Sequence, residues 1–175
     1  MKQRKMKGQS GFTLIEMLIV VVILGIIAMV VIPQISVSTG DAKLKTLQTN
    51  LHSTRGALEL YYHQHSQKYP GGVVPATKPS DVVTLADTFQ AQLARYTDIN
   101  GNISNTYGST TFNLGPYVRE GKLPINSFND KNDVVIDTTT TDMTVRSSTG
   151  LNNGWKFYYQ TGVLIPADGG AHDTL

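Results

Sequence analysis

The sequence predicts an α+β protein in which a long N-terminal helix, first hydrophobic and then amphipathic, packs on a small globular head. Three observations predict this class. Residues 12–32 form a nearly continuous apolar run, residues 34–66 carry apolar side chains at helical spacing, and strand-like segments lie only in the last third of the chain. Because helices precede strands in this order, we expect a helical stem followed by a head with a small antiparallel β-sheet.

The composition excludes several classes of protein. A chain of 175 residues holds one domain with appendages. Because it has no cysteine, it has no disulfide scaffold, no cysteine-based zinc site and no thiol nucleophile. The formal net charge is only +2, and four of the basic residues lie within the first seven positions. The remainder is nearly neutral, so nucleic-acid binding is not expected.

The apolar run is long enough to cross a membrane. A helix over residues 12–32 would be about 31 Å long, which matches the hydrocarbon core of a bilayer. The basic residues precede the run, so residues 1–11 are predicted on the cytoplasmic side and the head on the other. A plain membrane anchor would explain these features but not Glu16, because a carboxylate near the bilayer centre costs roughly 2.5–3.5 kcal/mol, and less near its edge.

Two interpretations of Glu16 follow. Near the membrane edge its side chain could snorkel or become protonated. Alternatively, cleavage before Phe12 would create an amine, and the amine of a neighbouring chain could neutralise Glu16 and set the register of packed helices. The basic leader, the Gly11–Phe12 junction and Glu16 occur together, which favours the second interpretation.

The residues at this junction are Gly11-Phe12-Thr13-Leu14-Ile15-Glu16. They resemble the cleavage and methylation motif of type IV prepilins and type II secretion pseudopilins. The resemblance implies that residues 1–11 are a leader peptide, that a prepilin peptidase cuts after Gly11 and methylates Phe12, and that Glu16 docks subunits during filament assembly. It also implies partners: other pilins or pseudopilins, an inner-membrane assembly platform, and membrane lipid around the single span, with the head in the periplasm or outside the cell.

Gly25 and Pro33 also resemble this family's pattern, in which the helix between such positions can loosen in the filament. Glycine weakens a helix, and proline removes a hydrogen-bond donor and clashes with the preceding turn. We therefore predict a weak point in the helix here, although membrane helices also tolerate both residues.

Three functions remain open, in a preferred order. A type II secretion pseudopilin comes first, because the chain has no cysteine and its Gly-Pro-Tyr and Leu-Pro-Ile-Asn connectors resemble pseudopilin heads. A type IV pilin for adhesion, motility or DNA uptake comes second. A single-span membrane protein with a ligand-binding head comes third, and it would need neither Glu16 nor the Gly11–Phe12 junction.

The predicted segments after the leader are a membrane and filament-core helix over residues 12–33, a stem over residues 34–66 and a head over residues 67–175. The stem helix is predicted to end near His65, before a Tyr-Pro-Gly-Gly segment, and Gly40 and Asp41 could interrupt it. The predicted elements of the head are a helix over 81–97 capped by Ser80, a loop over 97–109, and strands over 133–138, 143–147, 155–160 and 163–166.

Catalytic motifs are absent from the sequence, so an enzyme is not expected. His52, His63 and His65 lie on the stem without metal-ligand spacing, and we expect them in solvent. The aromatic side chains of the stem and of the strands are expected to pack in the core.

A calcium site is the one cofactor hypothesis. Asp130, Asp133 and Asp137 form the most oxygen-rich segment, and calcium prefers oxygen ligands. Asp168 and Asp173 in the glycine-rich tail could add ligands. Aspartate is also a common turn former, however, and the spacing is not that of an EF-hand, so turn formation is the preferred role.

Overall fold

A computed structural model describes residues 11–119 and 121–175, and for residues 30–38 it describes the backbone only. Residues 1–10 of the predicted leader and the side chain of Pro33 therefore lie outside the described residues. The chain divides into two compact units, one ending at Ala42 and the other spanning Lys43–Leu175.

The first helix, α1, spans Leu14–Gln64 and is 51 residues long. Its end confirms the stop predicted near His65. Gly40 and Asp41 lie inside the helix and do not interrupt it. Among the described residues, the structure contains no helix with the length and hydropathy of a membrane span, so the span predicted over residues 12–33 is not confirmed.

The second helix, α2, spans Leu85–Ala94 and is shorter than the helix predicted over 81–97. It begins at a capping box, in which the Thr84 side chain accepts from the backbone N–H of Asp87 and the Asp87 side chain accepts from that of Thr84. Ser80 is therefore not the cap. The helix ends because Arg95 adopts an extended backbone and forms an ion pair with Asp81.

The segment predicted as a loop over 97–109 contains a short hairpin. Strand β1 (Tyr96–Thr97) pairs antiparallel with β2 (Ile103–Ser104). The turn forms around Asp98, whose carboxylate accepts from the backbone N–H groups of Asn100 and Asn102, both at 2.9 Å. Gly101 takes a positive φ of 80°, which glycine adopts without steric cost.

A three-stranded sheet in the order β3-β4-β5 completes the head, with β3 at Val134–Asp137, β4 at Trp155–Tyr158 and β5 at Val163–Pro166. The prediction of an antiparallel sheet is correct for β4 and β5 and wrong for β3 and β4, which are parallel. Parallel neighbours need a long crossover, and residues 138–154 form it.

The strand predicted over 143–147 lies in this crossover and is not a strand. Asp142 accepts hydrogen bonds from the backbone N–H and the hydroxyl of Thr144, at 2.8 and 2.7 Å, and so closes a local turn. The alternating apolar side chains Met143 and Val145 are exposed, at 66% and 42%.

The core of the head lies between α1 and one face of the sheet. Because β4 alternates, Trp155 and Phe157 face this core, which confirms the predicted role of the aromatic residues. The indole N–H of Trp155 donates to the carbonyl of Pro124 at 2.8 Å. The fully or almost fully buried core residues are Leu47, Leu51, Leu58, Tyr61, Phe89, Leu93, Leu123, Val134, Trp155, Phe157 and Leu164.

The prediction that the three stem histidines are solvated is wrong for one of them. His52 and His63 are exposed, but His65 is 1% exposed. Its ring stacks on Tyr61 with centroids 3.6 Å apart and planes 6° apart. Sequence alone did not predict this, because His65 follows the last turn of α1 and its burial depends on the distant β1 segment.

Candidate functional site

The predicted cleavage junction lies just before α1. Gly11, Phe12 and Thr13 form no regular secondary structure, and the Phe12 side chain is 77% exposed. A β-carbon built on Gly11 would meet no other atom within 4 Å. None of the residues that the structure describes therefore blocks access of an enzyme to the Gly11–Phe12 peptide bond.

Thr13 and Glu16 form a capping box at the start of α1. One carboxylate oxygen of Glu16, Oε2, accepts from the backbone N–H of Thr13 at 2.8 Å and from its hydroxyl at 2.6 Å. The hydroxyl of Thr13 accepts in turn from the backbone N–H of Glu16 at 3.3 Å. Two N–H groups at the helix start are satisfied in this way, and the carboxylate lies at the positive end of the helix dipole.

The capping role of Thr13 was not predicted from the sequence. The signal was present, because a threonine three residues before a glutamate and directly ahead of an apolar run is the pattern of a capping box. Glu16 is thus a helix cap within its own chain, in addition to the docking role that the sequence predicts for it.

The first part of α1 exposes apolar side chains on all sides. Its large hydrophobic residues between Leu14 and Met29 are between 47% and 86% exposed. Helices that are apolar all round are normally buried in protein or lipid. This surface is suited to association with other apolar surfaces.

Gly25 lies within this exposed part of α1, and a β-carbon built there would meet nothing within 4 Å. Close packing inside the chain therefore does not require glycine at this position. The weak point predicted between Gly25 and Pro33 stays a prediction, since the side chain of Pro33 is outside the described residues.

The three aspartates of the calcium hypothesis have separate structural roles. The Asp133 carboxylate accepts from the side chain of Asn153 and, at 2.8 Å, from the backbone N–H of Gly154. Asp130 is exposed at a turn with a φ of 58°. In the described part of the chain, no three histidine, cysteine, aspartate or glutamate side chains converge into a group that could hold a metal.

Asp137 caps the turn after β3. Both its carboxylate oxygens accept hydrogen bonds at 3.0 Å from Thr139 and Thr140, and Lys156 lies 3.7 Å away. Partial burial acts to raise the pKa of Asp137, but the hydrogen bonds from Thr140 and Thr139 outweigh it and lower the pKa to about 2. The carboxylate is therefore ionised, and its hydrogen bonds are made within its own loop.

Asp168 and Asp173 connect the tail to neighbouring loops. One carboxylate oxygen of Asp168 lies 2.6 Å from Nδ1 of His172, and the other, Oδ1, is buried without a hydrogen-bond partner in the described residues. Asp173 accepts from the backbone N–H of Ser148 at 2.9 Å and from its hydroxyl at 2.5 Å. Within the described residues, neither Asp168 nor Asp173 forms a group with Asp130, Asp133 and Asp137 that could hold a metal. Calcium binding stays a prediction.

Comparison with known proteins identifies the N-terminal site. Residues 6–32 match the family model described as the prokaryotic N-terminal methylation motif. This segment carries an N-terminal methylation motif. The match contains Gly11, Phe12, Glu16 and Gly25, and it confirms the resemblance predicted from the sequence.

Several curated relatives named type II secretion system core protein G are similar to part of the chain. The relative from Pseudomonas aeruginosa is 45% identical over 55 residues, which is 31% of this chain and 39% of the relative. The relative from Klebsiella pneumoniae is 37% identical over 65 residues, 37% of this chain and 46% of the relative. The relative from Vibrio cholerae is 36% identical over 74 residues, 42% of this chain and 47% of the relative.

The chain thus spans less than half the length of these three relatives. No solved structure matches it significantly.

Proposed function

We propose that this chain is a structural subunit of a pilus-like filament, a pseudopilin of a type II secretion system. It is made as a prepilin, cut between Gly11 and Phe12 by a prepilin peptidase and methylated at Phe12. The observation that carries the proposal is the methylation motif directly followed by a capped helix that is apolar on all sides. The relatives named core protein G support the assignment to a secretion system over a pilus.

In this proposal the exposed apolar side chains of α1 drive assembly. They are surrounded by lipid before assembly, and by the corresponding helices of neighbouring subunits afterwards. Large apolar surfaces that leave the bilayer do not remain in water, because each buried Å² contributes roughly 25 cal/mol. Self-association of the helices into a filament core satisfies this requirement.

Glu16 sets the register of the packed helices. Thr13 occupies one carboxylate oxygen, Oε2, and the other has no hydrogen-bond partner among the residues that the structure describes. A carboxylate can accept several hydrogen bonds, so Oε1 can accept from the amine of Phe12 in a neighbouring subunit while the cap persists. In an apolar core, loss of one partner of such a pair costs roughly 3–5 kcal/mol, which penalises every wrong register.

The proposed location follows from the same features. The subunit is held in the inner membrane through residues 12–33, with the head in the periplasm, until an assembly platform incorporates it. The head then forms the surface of the filament. The function is structural and requires no catalytic residue or cofactor.

Substitution of Glu16 tests this proposal. Glu16→Ala, Glu16→Val and Glu16→Gln chains should still enter the membrane and be cleaved, because none of them adds charge to the apolar run. We expect Glu16→Ala and Glu16→Val to reduce filaments at least about tenfold, since an unpaired amine remains in the core, and Glu16→Gln to recover part of the loss.

Glu59→Ala is the matched control, because Glu59 is an exposed glutamate of the same helix outside the apolar run. It should assemble normally. The measurement is the amount of filament, sheared from cells that express each cleaved chain at equal level. Normal filaments from Glu16→Ala would contradict the docking role and leave helix capping as the only role of Glu16.

A further inference from the structure

The head contains a small cavity of about 150 Å³ where the end of α1, helix α2, the turn of the β1–β2 hairpin and the end of β4 meet. The floor of this cavity consists of four buried residues, Tyr61, His65, Gln92 and Gly101. Its mouth consists of three exposed residues, Lys68, Val73 and Asn100. All seven belong to the compact unit Lys43–Leu175, so the cavity lies within one unit of the chain.

Gln92 fixes the shape of the floor. Its side chain is 6% exposed, its carbonyl oxygen accepts from the backbone N–H of Gly71 at 2.8 Å, and its amide nitrogen donates to the carbonyl of Gly101 at 2.8 Å. A β-carbon built on Gly101 would lie 2.8 Å from that nitrogen, so the close approach requires glycine. The amide is held from both sides before anything binds, and its second N–H has no partner in the described residues.

The hydroxyl of Tyr61 is a buried donor without a partner. The residue is 2% exposed, and its ring is held against His65 by stacking. No hydrogen bond joins its hydroxyl to any group in the part of the chain that the structure describes. Burial raises the pKa of Tyr61 far above its ordinary value of 10, so the hydroxyl keeps its proton and can donate it. Because buried polar groups are nearly always hydrogen-bonded, this hydroxyl points to an acceptor that enters the cavity.

The charge of the lining favours a negatively charged acceptor. Lys68 lies at the mouth and forms no ion pair within the described ranges 11–119 and 121–175. No aspartate or glutamate is among the lining residues that the structure describes. The nearby carboxylate of Asp98 is engaged in its own turn, by the backbone N–H groups of Asn100 and Asn102.

The volume of the cavity limits the acceptor to a small group. It equals roughly five times the 30 Å³ that one water molecule occupies in the liquid. A carboxylate offers two oxygens with about four acceptor sites, and its hydrogen bonds are stronger than those of a neutral acceptor. Pro75 and Val73 add an apolar side to the lining, which suits a short hydrocarbon group beside the carboxylate.

We propose that this cavity binds a small organic carboxylate, whose oxygens accept from the Tyr61 hydroxyl and the Gln92 amide and pair with the ammonium group of Lys68. The bound molecule would join α1, α2 and the hairpin turn, and it would stabilise the folded head by mass action. This inference goes beyond the filament role and does not depend on it.

Acetate and acetamide test the chemical class, because they have the same shape and differ in charge. The full-length chain in phosphatidylcholine nanodiscs near neutral pH is titrated with each, and binding is followed by saturation transfer to the methyl protons. We expect saturable binding of acetate, and at least about tenfold weaker binding of acetamide, which cannot pair with Lys68. No binding of acetate at high millimolar concentration, equal binding of acetamide, or tighter binding of inorganic phosphate would overturn the proposal.

Tyr61→Phe locates the site, because it removes the hydroxyl and keeps the ring. It should weaken acetate binding at least about tenfold, since a hydrogen bond to a charged group is lost. Tyr62→Phe is the matched control on the next residue of α1, which does not line the cavity, and it should bind acetate as the wild-type chain does. Equal affinities in Tyr61→Phe and the wild-type chain, or equal losses in the two variants, would overturn the proposal.

Lys68→Gln gives a second readout at an exposed position, where the change leaves the buried floor intact. Acetate should raise the melting temperature of the wild-type chain and of the control Lys45→Gln, an exposed lysine of α1 outside the cavity. The same concentration should raise that of Lys68→Gln by less than half as much. Equal shifts in all three chains would show that acetate acts elsewhere and would overturn the proposal.

Discussion

His65 lies just after the last turn of α1, where its ring links the stem to β1. Nδ1 donates to the carbonyl of Tyr61 and Nε2 accepts from the hydroxyl of Thr97, both at 2.9 Å. This assignment follows from the carbonyl, which can only accept, and it requires a neutral ring. Burial lowers the pKa of His65 below its ordinary value of 6.5, and the Tyr61 carbonyl and Asp98 oppose this only in part.

Stability of the head should therefore depend on pH through His65. The unfolded chain binds a proton at the ordinary pKa of 6.5, and the folded chain only at lower pH. The full free energy of unfolding is thus present above this value and decreases as the pH falls through it towards the lowered pKa. Urea denaturation in detergent micelles at about pH 7.5 and about pH 5.5 measures the difference.

His65→Gln should lose most of this pH dependence, whereas His63→Gln, which changes an exposed histidine, should retain it. Equal pH dependence in the wild-type chain and the His65→Gln variant would show that other groups cause the effect.

Among the secondary-structure elements, the cap of α2 can be tested by comparing Thr84, the observed cap, with Ser80, the predicted one. The Thr84 side chain accepts from the backbone N–H of Asp87, whereas Ser80, the cap predicted from the sequence, lies outside the helix. Thr84→Ala should lower the free energy of unfolding by about 1 kcal/mol, because one N–H loses its partner. Ser80→Ala should change it by less than about 0.5 kcal/mol. Urea denaturation of the two variants checks this, and a larger loss for Ser80→Ala would be inconsistent with the observed cap.

The elements that could be predicted from the sequence are those whose residue pattern lies within a single segment. The helical spacing of Leu47, Leu51 and Leu58 predicts the stem of α1, and the β-branched and aromatic residues of β4 and β5 predict those strands, because each pattern is complete within its own segment. The parallel pairing of β3 with β4 was not predictable, since it depends on the path of the crossover. The segment 143–147 has the alternation of a strand, but it pairs with no strand among the described residues.

In the candidate site, too, the local pattern could be predicted from the sequence and the long-range contacts could not. Gly11, Phe12 and Glu16 form one short motif within six residues, whereas the aspartates of the calcium hypothesis lie at a turn (Asp130), just before β3 (Asp133) and at the end of β3 (Asp137). The Asp133 carboxylate accepts a hydrogen bond from Asn153, which is distant in sequence. The Asp137 carboxylate accepts one from Thr140, which lies just beyond the predicted cluster. These contacts assign local structural roles to the aspartates, and calcium binding stays a prediction.

At the scale of the whole molecule, the head should fold without the apolar helix. Its buried core begins at Leu47, and the compact second unit begins at Lys43. A fragment of residues 43–175 should therefore be soluble and unfold in one cooperative transition. Thermal unfolding followed by circular dichroism and by tryptophan fluorescence, with Trp155 as the single tryptophan, measures this. Transitions that do not coincide, or an insoluble fragment, would contradict the separation into two units.

The proposed function requires that the chain is a prepilin whose mature form begins at Phe12. Intact-protein mass spectrometry of the chain purified from its native host measures this. We expect a mass lacking residues 1–11 and carrying one added methyl group, with fragment ions that place the methyl on the amine of Phe12. Gly11→Leu should remain at full length in the membrane. A wild-type chain that retains residues 1–11, in a host with an active prepilin peptidase, would overturn the prepilin assignment.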